Sequence, residues 1–141
     1  MKTPKEICYD YAMKLALTPY KWRGDDFSGV DCSGFVILFL QAAGVFPYKH
    51  DETAAQLAAR YKATPYSALN PFEFGTLFFY GTPDIVHVTL ALNGFQMISA
   101  EGGGRDTLTK EDAEIKNAFV KILPIAARGV PRLMARPGYP W

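Results

Sequence analysis

The sequence predicts a single α+β domain, with helices first and a mainly antiparallel sheet second. Three observations carry that expectation. Apolar residues recur at helical spacing through the first half and give way to period-two runs in the second. A length of 141 residues suits one domain, spanning 1–141. Hydrophobic residues at 49% against charged residues at 21% form a globular composition, which excludes a disordered or collagen-like chain.

The elements follow in order. Thr3 with Glu6 three residues on is a capping box, and Pro4 occupies the favoured first helical position. Helical spacing continues through Ile7, Tyr11, Ala12, Lys14 and Leu15 to about Leu17, where Thr18-Pro19 ends it. A loop over 20–30 holds glycines, aspartates and large aromatics. A second helix runs from about Cys32 to Ala43, capped by Asp31 and ended by Gly44. It is apolar nearly all round, so it is predicted to be the central buried helix. Thr53 and Gln56 form another capping box, opening a short helix to about Tyr61.

Strands are predicted over 75–80 and 85–92. Asn93-Gly94 is the favoured pair for a two-residue type I′ hairpin, with 95–101 as the returning strand. Gly102-Gly103-Gly104 breaks that strand and is read as a flexible rim to a cleft. A short helix over 109–116 and a last strand over 118–125 follow. Pro131, Pro137 and Pro140 make 128–141 an irregular surface tail. There Arg128, Arg132 and Arg136 recur every four residues and are read as solvated or as docking on a partner.

Lys+Arg 15 against Asp+Glu 14 gives a net charge of +1, so no global field attracts nucleic acid or anionic lipid. The longest apolar stretch, Phe35 to Leu40, is too short to span a membrane. The N-terminus lacks a signal-peptide pattern, so synthesis in the cytoplasm is expected. Two cysteines make no disulfide framework, and no Cys/His spacing suggests a metal site.

Cys32 stands at a predicted helix N-terminus, where unsatisfied N–H groups and the helix dipole favour an anion. That placement is expected to lower the thiol pKa. Ser33 and Gly34 beside it are small enough for a substrate backbone to approach. By position alone, an inert buried cysteine explains Cys32 equally well. Cys8, mid-helix among apolar residues, reads as structural. A thiol nucleophile needs a base, and the chain has two histidines. His50 lies in a polar segment and reads as solvated. His87 lies within the apolar run Ile85 to Leu90, on one face with Ile85, Thr89 and Ala91. A helix-end cysteine and a strand histidine together are the arrangement of papain-like hydrolases.

Asp31-Cys32-Ser33-Gly34-Phe35-Val36 resembles the nucleophile motif of the NlpC/P60 family of cell-wall cysteine peptidases. The resemblance extends in order through Tyr20-Lys21-Trp22-Arg23-Gly24, Phe74 to Phe79, Val86-His87-Val88-Thr89-Leu90 and Met97-Ile98-Ser99-Ala100, so it covers 20–101. It implies a papain-like α+β fold, with N-terminal helices packed on an antiparallel sheet of about four to six strands. It also implies Cys32 as nucleophile, His87 as general base, and Tyr20 with the Cys32 N–H near the oxyanion. Asp31 and Ser33 would help bind the peptide stem. The family's orienting residue, usually histidine, maps onto Ser99; Glu101, two residues on and on the same strand face, is the alternative third residue. Trp22, Phe27 and Tyr48 are candidates to line a groove.

The resemblance implies hydrolysis of the peptide stem of bacterial peptidoglycan after γ-D-glutamate, through an acyl-enzyme and with no cofactor. The glycine run and Pro/Arg tail look most like phage- or prophage-encoded members, acting on the wall after release or from a virion. The rival expectation is a phage tail or assembly module that keeps the fold without catalysis and has tail proteins as partners.

Overall fold

The computed structural model describes residues 1–68 and 72–141. It has four α-helices among the described residues: α1 Pro4–Lys14, α2 Cys32–Ala42, α3 Ala54–Arg60 and α4 Lys110–Lys116. Three of them open on the reciprocal capping box, with Thr3, Thr53 and Thr109 as caps. The fourth, α2, is capped by Asp31 and buries Gly34, Phe35, Val36, Ile37, Phe39 and Leu40. It is the central helix that its all-round apolar sequence predicts.

The strands are β1 Asp25–Asp26, β2 Gly29–Val30, β3 Thr64–Pro65, β4 Leu77–Tyr80, β5 His87–Ala91, β6 Gln96–Glu101, β7 Phe119–Pro124 and β8 Leu133–Ala135. The first two form a small ribbon inside the loop that joins α1 to α2. The other six form one antiparallel sheet in the order β3-β8-β4-β5-β6-β7. Side chains alternate across it. Leu77, Phe79, Val88, Leu90, Ile98 and Ala100 join the main core with α2, while Phe78, Tyr80, Ala91, Met97 and Met134 build a smaller apolar cluster. Among the described residues, no helix is long and apolar enough to cross a membrane.

Three expectations need correction. The first helix stops at Lys14 rather than near Leu17, because the backbone of Leu17 and Thr18 pairs with Val120 of β7. That tertiary pairing outweighs another half-turn of helix, and Leu17 takes a φ of 73°. The hairpin after β5 is not a two-residue type I′ turn. Asn93 and Gly94 are absent from the positive-φ positions that such a turn requires. Instead the loop spans Asn93 to Phe95: the Asn93 side-chain oxygen accepts from the N–H groups of Phe95 and Gln96 at 2.8 Å each, and Leu92 N–H bonds Gln96 C=O at 2.9 Å.

The tail is not an irregular surface strap. Its residues 133–135 form β8, which lies between β3 and β4 in the sheet. Pro131 stands before the strand and Pro137 after it, so neither removes a ladder donor. The three arginines are exposed, as the solvated reading expects, and are also tied to this chain. Arg128 bonds Glu101, Arg132 bonds the Gly81 and Pro83 carbonyls, and Arg136 bonds the Phe74 carbonyl. Arg128 closes a 3-10 turn, Ile125–Arg128, between β7 and β8. At the chain end, Trp141 stacks on Tyr139 and Phe74.

Candidate active site

Cys32 is the first residue of α2, and the loop before it is fastened to the helix start. Asp31 Oδ1 accepts from the Gly34 N–H at 2.8 Å and the Ser33 hydroxyl at 3.2 Å, while Oδ2 accepts from the Arg23 N–H at 3.1 Å. The Asp31 N–H in turn donates to the Gly24 carbonyl. Burial raises the Asp31 carboxyl, and the three donors oppose that rise. Gly34 is small for a reason other than substrate approach: a Cβ there would lie 1.9 Å from the Gly24 oxygen. The backbone of the preceding loop, not a ligand, fills that space.

The packing around Cys32 works against the expected acidified thiol. Burial pushes it up to about 11; the Val88 and Ser33 backbone and Arg128 pull the other way without winning. The helix dipole is a partial charge, whereas removing a thiolate from water costs more. In the free protein Cys32 is a neutral thiol, donating to the Val86 carbonyl at 3.9 Å.

His87 opens β5, and Glu101 closes β6. The ladder pairs Leu90 with Ile98 and Ala91 with Met97, and beyond it the His87 and Glu101 side chains meet. The three-residue loop is what achieves this. A two-residue Asn-Gly turn would place Ala100 opposite His87 and send Ser99 and Glu101 to the other face of the sheet. His87 Nε2 bonds Glu101 Oε2 at 2.8 Å. Ser99 does not touch the imidazole in any described hydrogen bond; its hydroxyl donates to the same Glu101 oxygen. Arg128 Nη1 donates to the other oxygen, Oε1, at 2.7 Å.

The electrostatics follow from this packing. Burial alone would raise Glu101, but His87, the Ser99 hydroxyl and Arg128 outweigh it and hold the carboxyl down to about 2. Burial also holds His87 below its ordinary value, with Arg128 acting in the same direction and Glu101 opposing both. At neutral pH the site thus holds a thiol, a neutral imidazole and an ionised carboxylate. With Nε2 committed to Glu101, Nδ1 is the nitrogen free to take a proton from sulfur.

Cys32 and His87 line one cleft of about 500 Å³, with Glu101 buried behind the imidazole. Tyr20, Trp22, Asp31, Cys32, Ser33, His87 and Arg128 all face it. Burial, followed by the charges of Cys32, Asp31 and Glu101, pushes the Tyr20 phenol up, so it stays a hydrogen-bond donor. The glycine run forms the rim, and Gly103 is required there: a Cβ on it would lie 2.1 Å from the Tyr20 ring. Phe27 and Tyr48 are exposed and do not line the cleft. His50 lies apart from it, half-buried against Phe46 and Glu52 rather than solvated. Cys8 is a core residue, as its position predicts.

Sequence reasoning missed Arg128, Thr53 and Ala54 as cleft residues. No local pattern marks them: Arg128 reaches the site only through the turn between two strands, and Thr53 and Ala54 only through the docking of α3.

Three comparisons bear on this geometry. A model of the NlpC/P60 family matches residues 17–123. Protein P54 of Enterococcus faecium is 32% identical over 97 residues, covering 67% of this chain but 18% of that protein, so the chain spans less than a fifth of the relative's length. The NlpC/p60 domain of the peptidoglycan hydrolase SagA superposes with a TM-score of 0.65 at 29% identity, over 93% of this chain and 97% of that one. RipD of Mycobacterium tuberculosis, a non-catalytic NlpC/p60 domain protein adapted to peptidoglycan binding, has the same fold: TM-score 0.67 at 17% identity, over 96% and 98% of the two chains.

Proposed function

Because the chain belongs to the NlpC/P60 family, we propose that it is a cysteine peptidase that hydrolyses the peptide stem of bacterial peptidoglycan after γ-D-glutamate. The supporting observation is that His87, bonded to Glu101 at 2.8 Å, lines the same cleft as Cys32.

In this reading His87 Nδ1 takes the Cys32 proton as sulfur attacks the scissile carbonyl carbon. The tetrahedral oxyanion lies beside the Tyr20 hydroxyl and the Cys32 N–H. The imidazolium then protonates the leaving amine, and the C–N bond breaks to leave a thioester on Cys32. Water, deprotonated by His87, attacks that thioester and releases the carboxylate product. Glu101 stays ionised throughout and stabilises the imidazolium that each step creates. Asp31 and Ser33 border the cleft where the stem would lie, although both are already hydrogen-bonded to each other. A phage or prophage origin, with delivery to the wall by release or on a virion, is part of the same proposal. It draws on the sequence resemblance alone.

A second reading, a wall-binding or tail module without catalysis, is favoured by the placement of Cys32, whose thiol donates to the Val86 carbonyl at 3.9 Å and is pushed up to about 11 by burial. One experiment separates the two. Wild type and Cys32→Ala are incubated with peptidoglycan and a defined muropeptide, and the products are identified by mass spectrometry. The expected result is new amine and carboxyl ends from the wild type alone. No products from a folded wild type would favour the binding module, and cleavage by both proteins would remove Cys32 from the mechanism.

A further inference from the structure

Arg128 lies outside every motif, and the mechanism above gives it no step. Yet it makes one of the shortest contacts in the site, 2.7 Å from Nη1 to Glu101 Oε1, with its side chain two-thirds buried. The guanidinium also lies over the Tyr80 ring, 5.4 Å from the centroid, and Tyr80 in turn flanks the His87 ring at 5.9 Å. Each carboxylate oxygen of Glu101 therefore has its own partners: Arg128 on Oε1, and His87 with Ser99 on Oε2.

A glutamate side chain has three rotatable bonds, and few of its orientations present an oxygen to His87 Nε2. A donor fixed at the other oxygen removes that freedom, and a cation there keeps a buried carboxylate ionised. Without it, Glu101 would sit two residues from the family's usual orienting position with only a hydroxyl to guide it. We infer that Arg128 is a positioning residue: it holds Glu101 so that Oε2 fixes the proton of His87 on Nε2 and leaves Nδ1 bare for Cys32. This rests on the hydrolase reading, and its test is chosen to separate the two.

The test is nitrogen NMR of the full chain with labelled histidine. The chain has two histidines, and His50, outside the cleft, serves as an internal control. The expected result is a protonated Nε2 and bare Nδ1 for His87 in the wild type and in Arg128→Lys. Arg128→Gln should shift both nitrogens toward a mixture of tautomers. Its kcat/KM on a muropeptide should fall roughly 10- to 100-fold, carried by kcat. In a Glu101→Gln background the same substitution should cost nothing further, because it acts through Glu101. Arg128→Met, which keeps an aliphatic stem over Tyr80, replaces the glutamine variant if that one does not fold.

Unchanged His87 nitrogens in a folded Arg128 variant would overturn the positioning role. So would a loss confined to KM or additive with Glu101→Gln, either of which would mean direct contact with substrate. A wild type that cleaves nothing would remove the hydrolase reading, while the nitrogen shifts would still decide on Arg128.

Discussion

A carboxylate at position 101 differs from a histidine at 99 in charge as well as in reach. Glu101 is ionised, held down to about 2, so it can stabilise an imidazolium that a neutral ring would only orient. Ser99 has become a donor to Glu101 rather than a partner of His87. Their substitutions should therefore separate. Glu101→Gln is expected to lose roughly 10²- to 10⁴-fold in kcat, because an amide can donate to Nε2 and select the wrong tautomer. Ser99→Ala should lose less than about 10-fold, since His87 and Arg128 still hold the carboxylate. The pH profile has a matching sign. His87 must be neutral to act, and burial lowers its pKa, so the acid limb of kcat/KM should fall below pH 6.5. The thiol must keep its proton for transfer, which puts the alkaline limb near 11. Glu101→Gln removes an influence that raises His87 and should move the acid limb lower still. An acid limb above pH 6.5, measured on a soluble muropeptide, would contradict the buried neutral imidazole.

At the scale of elements, the loop between β5 and β6 sets the catalytic register. Phe95 lies at its tip with 84% of its surface exposed, so its side chain contributes little by burial. Its backbone is what counts, as the third loop residue that sets Leu90 opposite Ile98 and Ala91 opposite Met97. Phe95→Ala is expected to keep stability within about 0.5 kcal/mol and to retain activity. Deleting Phe95 would force the two-residue turn that Asn93-Gly94 favours and slip β6 by one residue. Apolar Ile98 and Ala100 would then leave the core face, and Glu101 would leave His87. That variant should lose both activity and the cooperative thermal melt. A deletion variant that melts and cleaves as the wild type does would show that the loop does not set the register.

At the scale of the whole molecule, the last residues complete the sheet. Leu133, Met134 and Ala135 pair with Phe79, Phe78 and Leu77 of β4, and β3 pairs with β8 on its other side. Tyr139 donates to the Gly75 carbonyl at 2.7 Å, and its ring stacks with Trp141. Removing residues 129–141 would expose the β4 edge and detach β3 from the sheet. The expected outcome is a chain that melts without cooperativity or aggregates, followed by circular dichroism. A truncated chain with a sharp wild-type transition would show β8 to be an accessory strand.

Much of this was legible along the chain, because the signals are local. Capping boxes at Thr3 and Thr53, the all-apolar run of α2 and the alternation in β4, β5 and β6 depend on neighbours within a few residues. So do the helix-end placement of Cys32 and the strand placement of His87, which, with the ordered motifs, made the family recognisable. What only the tertiary structure decided involves groups distant in sequence. The burial that raises the Cys32 thiol comes from packing that a helix-end position cannot reveal. Whether Ser99 or Glu101 meets the imidazole depends on side chains brought together from two strands, and it is Glu101 that bonds His87. The tail read as irregular because a three-residue strand is too short for its own period to show, and it is held by pairing with β4. Arg128 read as solvated because a long charged side chain in isolation belongs in water; only the fold shows that it also meets the buried Glu101 carboxylate.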